Sequence, residues 1–115
     1  GLLKKLGVIG EALPLAEKVP AADLLVNASS LGMKGAPSFD PDLSALPETA
    51  VVYDIVYAPL LTGLLRQAEA RGLATIDGLS MLVGQAAVAF ERFYGVPPPR
   101  AADQELRRLL LAGAA

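Results

Sequence analysis

One amide interrupts an otherwise apolar stretch. In Asp77-Gly-Leu-Ser-Met-Leu-Val-Gly-Gln-Ala-Ala-Val-Ala-Phe90, Gln85 is the hydrogen-bonding group set among aliphatic neighbours. A glutamine carries a donor and an acceptor end, so a ligand hydroxyl would suit it. Residues three and four apart share a helix face, which puts Gly78, Met81 and Gln85 on one stripe. Leu82, Ala86, Ala89 and Phe93 line the adjacent one. A glycine in the first turn would admit a flat ring close to the backbone. A methionine would add a soft apolar contact. The plainer reading turns Gln85 to solvent and Met81 into the core, and spacing alone leaves both open.

Other polar residues fall where chemistry is often placed. Tyr57 ends the strongest strand pattern, as a ligand contact or an edge aromatic with a wet hydroxyl. Asp54 sits inside that apolar strand, and an unpaired buried carboxylate is costly, so a partner such as a backbone amide is expected. A general-base role is the sharper alternative for it. Asp77 reads most simply as a helix cap. Asn27, after an apolar run, would bind a ligand or close an Asx-turn.

The elements that position these residues follow from pattern. Gly1–Leu6 reads as the end of a helix stopped by Gly7, and Glu11–Leu15 as a short strand broken by Pro14. Asp23–Asn27 reads as a strand buried on both faces. Residues 28–42 form a loop rich in Ser, Gly, Pro and Asp, and Ala50–Tyr57 is a β-branched and aromatic strand. Thr62 caps a helix over Gly63–Arg71 that Gly72 ends, and Leu73–Ile76 is a short strand. Asp77 caps a helix from Gly78 to about Tyr94, ended by Gly95. Pro97-Pro98-Pro99 makes a stiff linker to an amphipathic helix over Ala102–Leu111. This order predicts an α/β fold with a parallel sheet. Ligands of such sheets bind beyond the carboxyl ends of strands, which singles out Asn27-Ala28-Ser29, Tyr57-Ala58-Pro59 and Asp77-Gly78.

Composition narrows the chemistry. The 115 residues hold no Cys and no His, which excludes thiolate nucleophiles, disulfides, a Ser-His-Asp triad and His- or Cys-ligated metal within the chain. No metal site is expected. The net charge is −2, and the basic residues form no stripe, so nucleic-acid binding is not expected. Hydrophobic residues make up 53% and the mean hydropathy is +0.45. The richest run, Leu79–Phe90, is too short for a membrane span and contains Gln85. The surplus implies either a dense interior or a face that belongs against something else. No secretory signal pattern is visible, so a cytoplasmic location is expected.

The pieces together resemble the C-terminal part of the shikimate/quinate dehydrogenase family. The matching segments are Asp23-Leu-Leu-Val-Asn-Ala-Ser-Ser-Leu-Gly-Met33, Val52-Tyr-Asp-Ile-Val-Tyr-Ala-Pro-Leu60, Thr62–Leu65, Gly72 and Asp77–Ala86 with Phe90 and Gly95. They keep the family's order and approximate spacing across residues 21–99. The resemblance implies the second half of a Rossmann-like, doubly wound parallel sheet with C-terminal helices. Residues 1–77 would be the half-sheet and 78–115 the helices. It implies NADP-dependent reduction of 3-dehydroshikimate to shikimate, with NAD an alternative cofactor. Carried over by position, Tyr57 and Gln85 are expected to bind substrate. Ile55, Gly78 and Met81 are expected at the nicotinamide nucleotide, bordered by Asn27, Ala28, Ser29 and Ser30.

The departures matter as much. The family's acid/base Lys–Asp pair belongs to a substrate domain N-terminal to these motifs, and neither Lys4 nor Lys5 stands in a matching motif. The chain has no G-x-G-x-x-G phosphate loop and no segment selecting the 2′-phosphate. Gly63 stands where the family usually has Pro, and Ser80 where it often has Gly. No catalytic residue is therefore expected in this chain, and the chain alone is expected to be inactive. The expected partners are shikimate or 3-dehydroshikimate and the substrate domain, and the sequence leaves a homodimer open. The alternatives are a free-standing non-catalytic domain, ligand-binding or self-associating, and one half of a split enzyme.

Overall fold

Capping residues and glycine stops bound the two central helices, and the structure, a computed structural model, describes residues 1–15 and 18–114. The elements are α1 (Leu2–Lys5), β1 (Leu24–Asn27), β2 (Val51–Asp54), α2 (Gly63–Ala70), β3 (Ala74–Ile76), α3 (Gly78–Tyr94) and α4 (Asp103–Ala114). A short 3₁₀ turn, Arg100–Ala102, leads into α4. Thr62 caps α2 by accepting from the Leu65 N–H at 3.3 Å, and Asp77 caps α3 by accepting from the Ser80 N–H at 2.8 Å. Gly95 ends α3 with φ of 71°, a left-handed conformation that costs glycine little.

The three strands form one parallel sheet in the order β1-β2-β3. Its register sets Val52 between Leu25 and Thr75, with Asn27 beside Asp54. Alternate residues share a face of a strand. On one face Val52 is buried in a core with Leu64, Leu65 and Ala68 of α2, and Leu25 packs against it. Leu43, Leu46 and Ala50, from the segment leading into β2, complete that core. Parallel strands need a long crossover. Here much of it is irregular chain, held down by α2 side chains and the residue capping α2. The Arg71 guanidinium donates to the Leu43 and Leu46 carbonyls, and Gln67 donates to the Pro41 carbonyl at 2.8 Å.

The other face carries Leu24, Val26 and Ile76, which are 54%, 41% and 40% exposed. This corrects the expectation that β1 is buried on both faces. β1 is an edge strand, and only the Leu25 and Asn27 side is covered. Two further expectations change. Glu11–Leu15 forms no strand, and Pro14 there offers no N–H to a ladder. The strand expected over Ala50–Tyr57 stops at Asp54, because the Asp54 carboxylate accepts from the Val56 N–H at 3.0 Å and turns the chain.

Helix α3 buries only its first turns, at Gly78, Leu79 and Val83. Further along, Val88, Phe93 and Tyr94 are exposed, and the Phe90 and Tyr94 rings sit 4.6 Å apart. Helix α4 is fastened back onto the start of α3 by Arg107, whose guanidinium lies 2.6 Å from Asp77. No helix among the described residues is long and apolar enough to cross a membrane.

Candidate functional site at the strand exits

The carboxyl ends of β1 and β2 lead into two loops, and a cavity of about 420 Å³ opens between them. Ala28, Ser29 and Ser30 form one wall, and Ile55 and Tyr57 the other, with Met33 alongside. The small side chains of the first wall and the apolar atoms of the second suit a flat, partly aromatic ligand. Tyr57 is 42% exposed and stands at the rim. Its far side borders a second hollow shared with Leu82 of α3 and with Leu109 and Leu110 of α4.

Asn27 does not reach into the cavity with a free group. It is buried, and its amide is committed inside the fold. Its Oδ1 accepts from the Ser29 N–H at 3.1 Å and the Ser29 hydroxyl at 2.6 Å. Its Nδ2 donates to the Leu31 carbonyl at 2.9 Å and to Asp54 at 3.1 Å. The Asx-turn reading therefore describes Asn27, which shapes the Ala28–Ser30 wall from behind. Asp54, fully buried, has more than the expected amide partner. Besides Val56 and Asn27, it accepts from the Thr62 hydroxyl at 2.7 Å. With its two oxygens occupied by three donors, it faces no ligand and is not placed as a general base.

Gly78 adjoins the second wall through its backbone. A Cβ there would lie 2.6 Å from the Val56 carbonyl oxygen and closer still to that of Ile55. The absent side chain thus lets α3 seat against the exit of β2. Within the chain, the neighbour set against Gly78 is this backbone. Met81 is half-buried and Gln85 exposed, and neither lines the 420 Å³ cavity. The structure thus gathers Ala28, Ser29, Ser30, Ile55 and Tyr57 around one space, seats Gly78 behind it and leaves Met81 and Gln85 on the α3 flank.

Three contributors escape sequence reading: Met33 in the cavity, Thr62 as a donor to Asp54, and Arg107. Thr62 follows Asp54 by eight residues, too far for a local rule, although a buried acid beside a helix cap is a signal to pair them. Arg107 donates to both Asp77 oxygens at 3.1 and 2.6 Å and to the Ser80 hydroxyl at 3.1 Å. The Arg107 hydrogen bond holds the Asp77 carboxyl below its ordinary range, and Asp77 in turn raises the guanidinium. Among the described residues, no group of three His, Cys, Asp or Glu side chains is placed to hold a metal ion.

Residues 78–105 match the family model described as the shikimate 5'-dehydrogenase C-terminal domain. Over 112 residues, 97% of the chain, the sequence is 61% identical to the NADP(+) shikimate dehydrogenase of Sphingopyxis alaskensis. The chain is similar to shikimate dehydrogenases over nearly all of its length. It corresponds to the C-terminal portion, spanning 41% of that relative's length. The shikimate dehydrogenase of Thermus thermophilus, solved in complex with NADP(H) and shikimate, superposes with a TM-score of 0.73 at 36% identity. It matches 93% of this chain and 40% of its own. The quinate dehydrogenase of Corynebacterium glutamicum, solved with NAD, gives 0.66 at 38% identity over 79% of this chain and 31% of its own. These neighbours share a Rossmann-like architecture, and the parallel half-sheet with its following helices is the part this chain supplies.

Proposed function

We propose that this chain supplies the nicotinamide-facing wall and part of the substrate wall of an NADP-dependent shikimate dehydrogenase, which interconverts 3-dehydroshikimate and shikimate. The observation that carries the reading is the cavity at the strand exits. Its size and its small and apolar lining fit a nicotinamide ring, between Ala28–Ser30 and Ile55. The nicotinamide, when bound, supplies the hydride chemistry. The chain's own residues bind and orient. Ala28, Ser29, Ile55 and the backbone around Gly78 border the ring, with Met81 beside it. Tyr57 and Gln85 offer hydrogen bonds to the substrate, and the apolar lining keeps water from the reacting atoms.

The chain has no Lys–Asp pair in a matching motif and no glycine-rich phosphate loop, so proton transfer and most of the nucleotide affinity belong to residues outside it. In this reading the isolated chain is inactive. The exposed apolar parts of α3 and of the sheet pack against the rest of a cytoplasmic enzyme. The relatives named with NADP favour that cofactor over NAD.

The role of Gln85 is testable in a graft that puts this chain in place of its 112 matching residues in the Sphingopyxis alaskensis enzyme. Gln85→Ala is expected to raise KM for shikimate about tenfold, the effect of losing one well-placed hydrogen bond. KM for NADP+ should stay within about twofold. Equal effects on both would remove Gln85 from the substrate wall.

A further inference from the structure

The cavity has two walls, and one buried side chain touches the support of both. Asp54 is 0% exposed and, among the described residues, has no charged partner and accepts from neutral donors. Its Oδ1 takes the Asn27 amide, which pins Ser29, and the Val56 N–H, which starts the turn toward Tyr57. Its Oδ2 takes the hydroxyl of Thr62, which also caps α2. A carboxylate is acceptor-only and meets all three donors at once, whereas an amide could keep the Oδ1 pair only by turning its NH₂ on the Thr62 hydroxyl, which would then have to accept.

We propose that Asp54 is a positioning residue: it ties the exit of β1 to the exit of β2 and so fixes the gap between the two cavity walls. The ligand this gap serves rests on the shikimate dehydrogenase reading; the link itself does not. The Oδ1 contact turns the Asn27 amide so that its oxygen faces Ser29. Without it the Leu31 carbonyl is the remaining acceptor for the NH₂, and the amide orientation that receives the Ser29 N–H is less firmly held. The wall nearest the link borders the nicotinamide rather than the substrate hydroxyls. Loosening it should therefore weaken cofactor binding first.

Two substitutions test this. Asp54→Asn replaces one acceptor oxygen with a donor, so the new NH₂ either meets the Asn27 and Val56 donors or makes the Thr62 hydroxyl turn round to accept. Thr62→Val removes only the hydroxyl at the far oxygen and keeps the shape. In ¹H–¹⁵N spectra of the 115-residue chain, both are expected to shift the Ser29 N–H and the Asn27 side-chain NH₂, across the sheet from Thr62. If Asp54→Asn fails to fold, Thr62→Val decides. Changes confined to Leu65 and the first turn of α2 would overturn the link, because a mere cap affects only its own helix.

In the graft with the Sphingopyxis alaskensis enzyme, the folded variant is expected to raise KM for NADP+ about tenfold. KM for shikimate should change less than about twofold, with kcat near that of the unsubstituted graft. Equal rises in the two KM values, or none, would overturn the positioning role. An unsubstituted graft without NADP+-dependent turnover would instead overturn the functional reading, and the spectra would still decide the link.

Discussion

The two faces of this small sheet are built to different standards. On one, Val52 meets Leu64, Leu65 and Ala68 of α2 in a closed core, and even the irregular crossover contributes Leu43 and Leu46. On the other, Leu24, Val26 and Ile76 are exposed, and α3 leaves the sheet after its first turns to carry Phe93 at 85% exposure. Parallel sheets are normally covered on both faces. The high hydropathy divides between these two faces. Part of it makes a core, and the rest makes a surface that, in the proposed reading, meets the remainder of the enzyme.

That contrast can be broken most sharply by mutation. Leu64→Ala on the closed face is expected to cost about 3 kcal/mol of stability, measured by urea unfolding, since it deletes buried methyl groups beside a fixed core. Leu24→Ala on the open face should change the stability by less than about 0.5 kcal/mol. Comparable losses at the two positions would mean that the open face is covered.

The next effect concerns the tie between α3 and the sheet. Gly78→Ala brings a Cβ into the Ile55 and Val56 carbonyls, neither of which can rotate away. A loss of about 2 kcal/mol is expected, with faster hydrogen exchange in the first turn of α3. Unchanged exchange at Leu79 to Val83 would show that the helix tolerates displacement from the β2 exit.

A smaller effect belongs to the Arg107–Asp77 pair, which fastens α4. The Asp77 carboxyl lies below its ordinary value of 3.8 in the folded chain, chiefly through the Arg107 hydrogen bond. A depressed acid stabilises the fold fully above its unfolded pKa, and that contribution is lost as pH falls through the folded value. At neutral pH, Arg107→Ala should therefore release α4, seen as faster exchange of its amides. Below about pH 3.8 the difference from the unsubstituted chain should shrink toward zero. A pH-independent difference would point to packing by the Arg107 stem in place of charge.

Sequence reading reached most of the backbone and only part of the site. Caps at Thr62 and Asp77 and stops at Gly72 and Gly95 are local chemistry, and they define α2 and α3 nearly to the residue. Glu11–Leu15 and the ends of β2 were less legible, because strand pairing depends on partners elsewhere in the chain. The strand exits were legible as a place: Ala28, Ser29, Ile55 and Tyr57 do share one cavity. The reason for Gly78 was not. Periodicity set it beside Met81 and Gln85, whereas the close contact comes from Ile55, far away in sequence. Asp54 was visible as a buried acid in need of a partner. Its link to Asn27 follows from the register of β1 on β2, and its bond to Thr62 from where α2 begins.

In the proposed reading, this chain holds one wall of a shikimate dehydrogenase site and lacks the acid/base and phosphate-binding parts. The most direct measurement is NADP+-dependent shikimate oxidation by the isolated chain and by the graft in which it replaces its counterpart in the Sphingopyxis alaskensis enzyme. No turnover above a protein-free blank is expected for the chain, and turnover within about tenfold of the parent enzyme for the graft. Turnover by the chain alone, or a folded graft without activity, would contradict that reading.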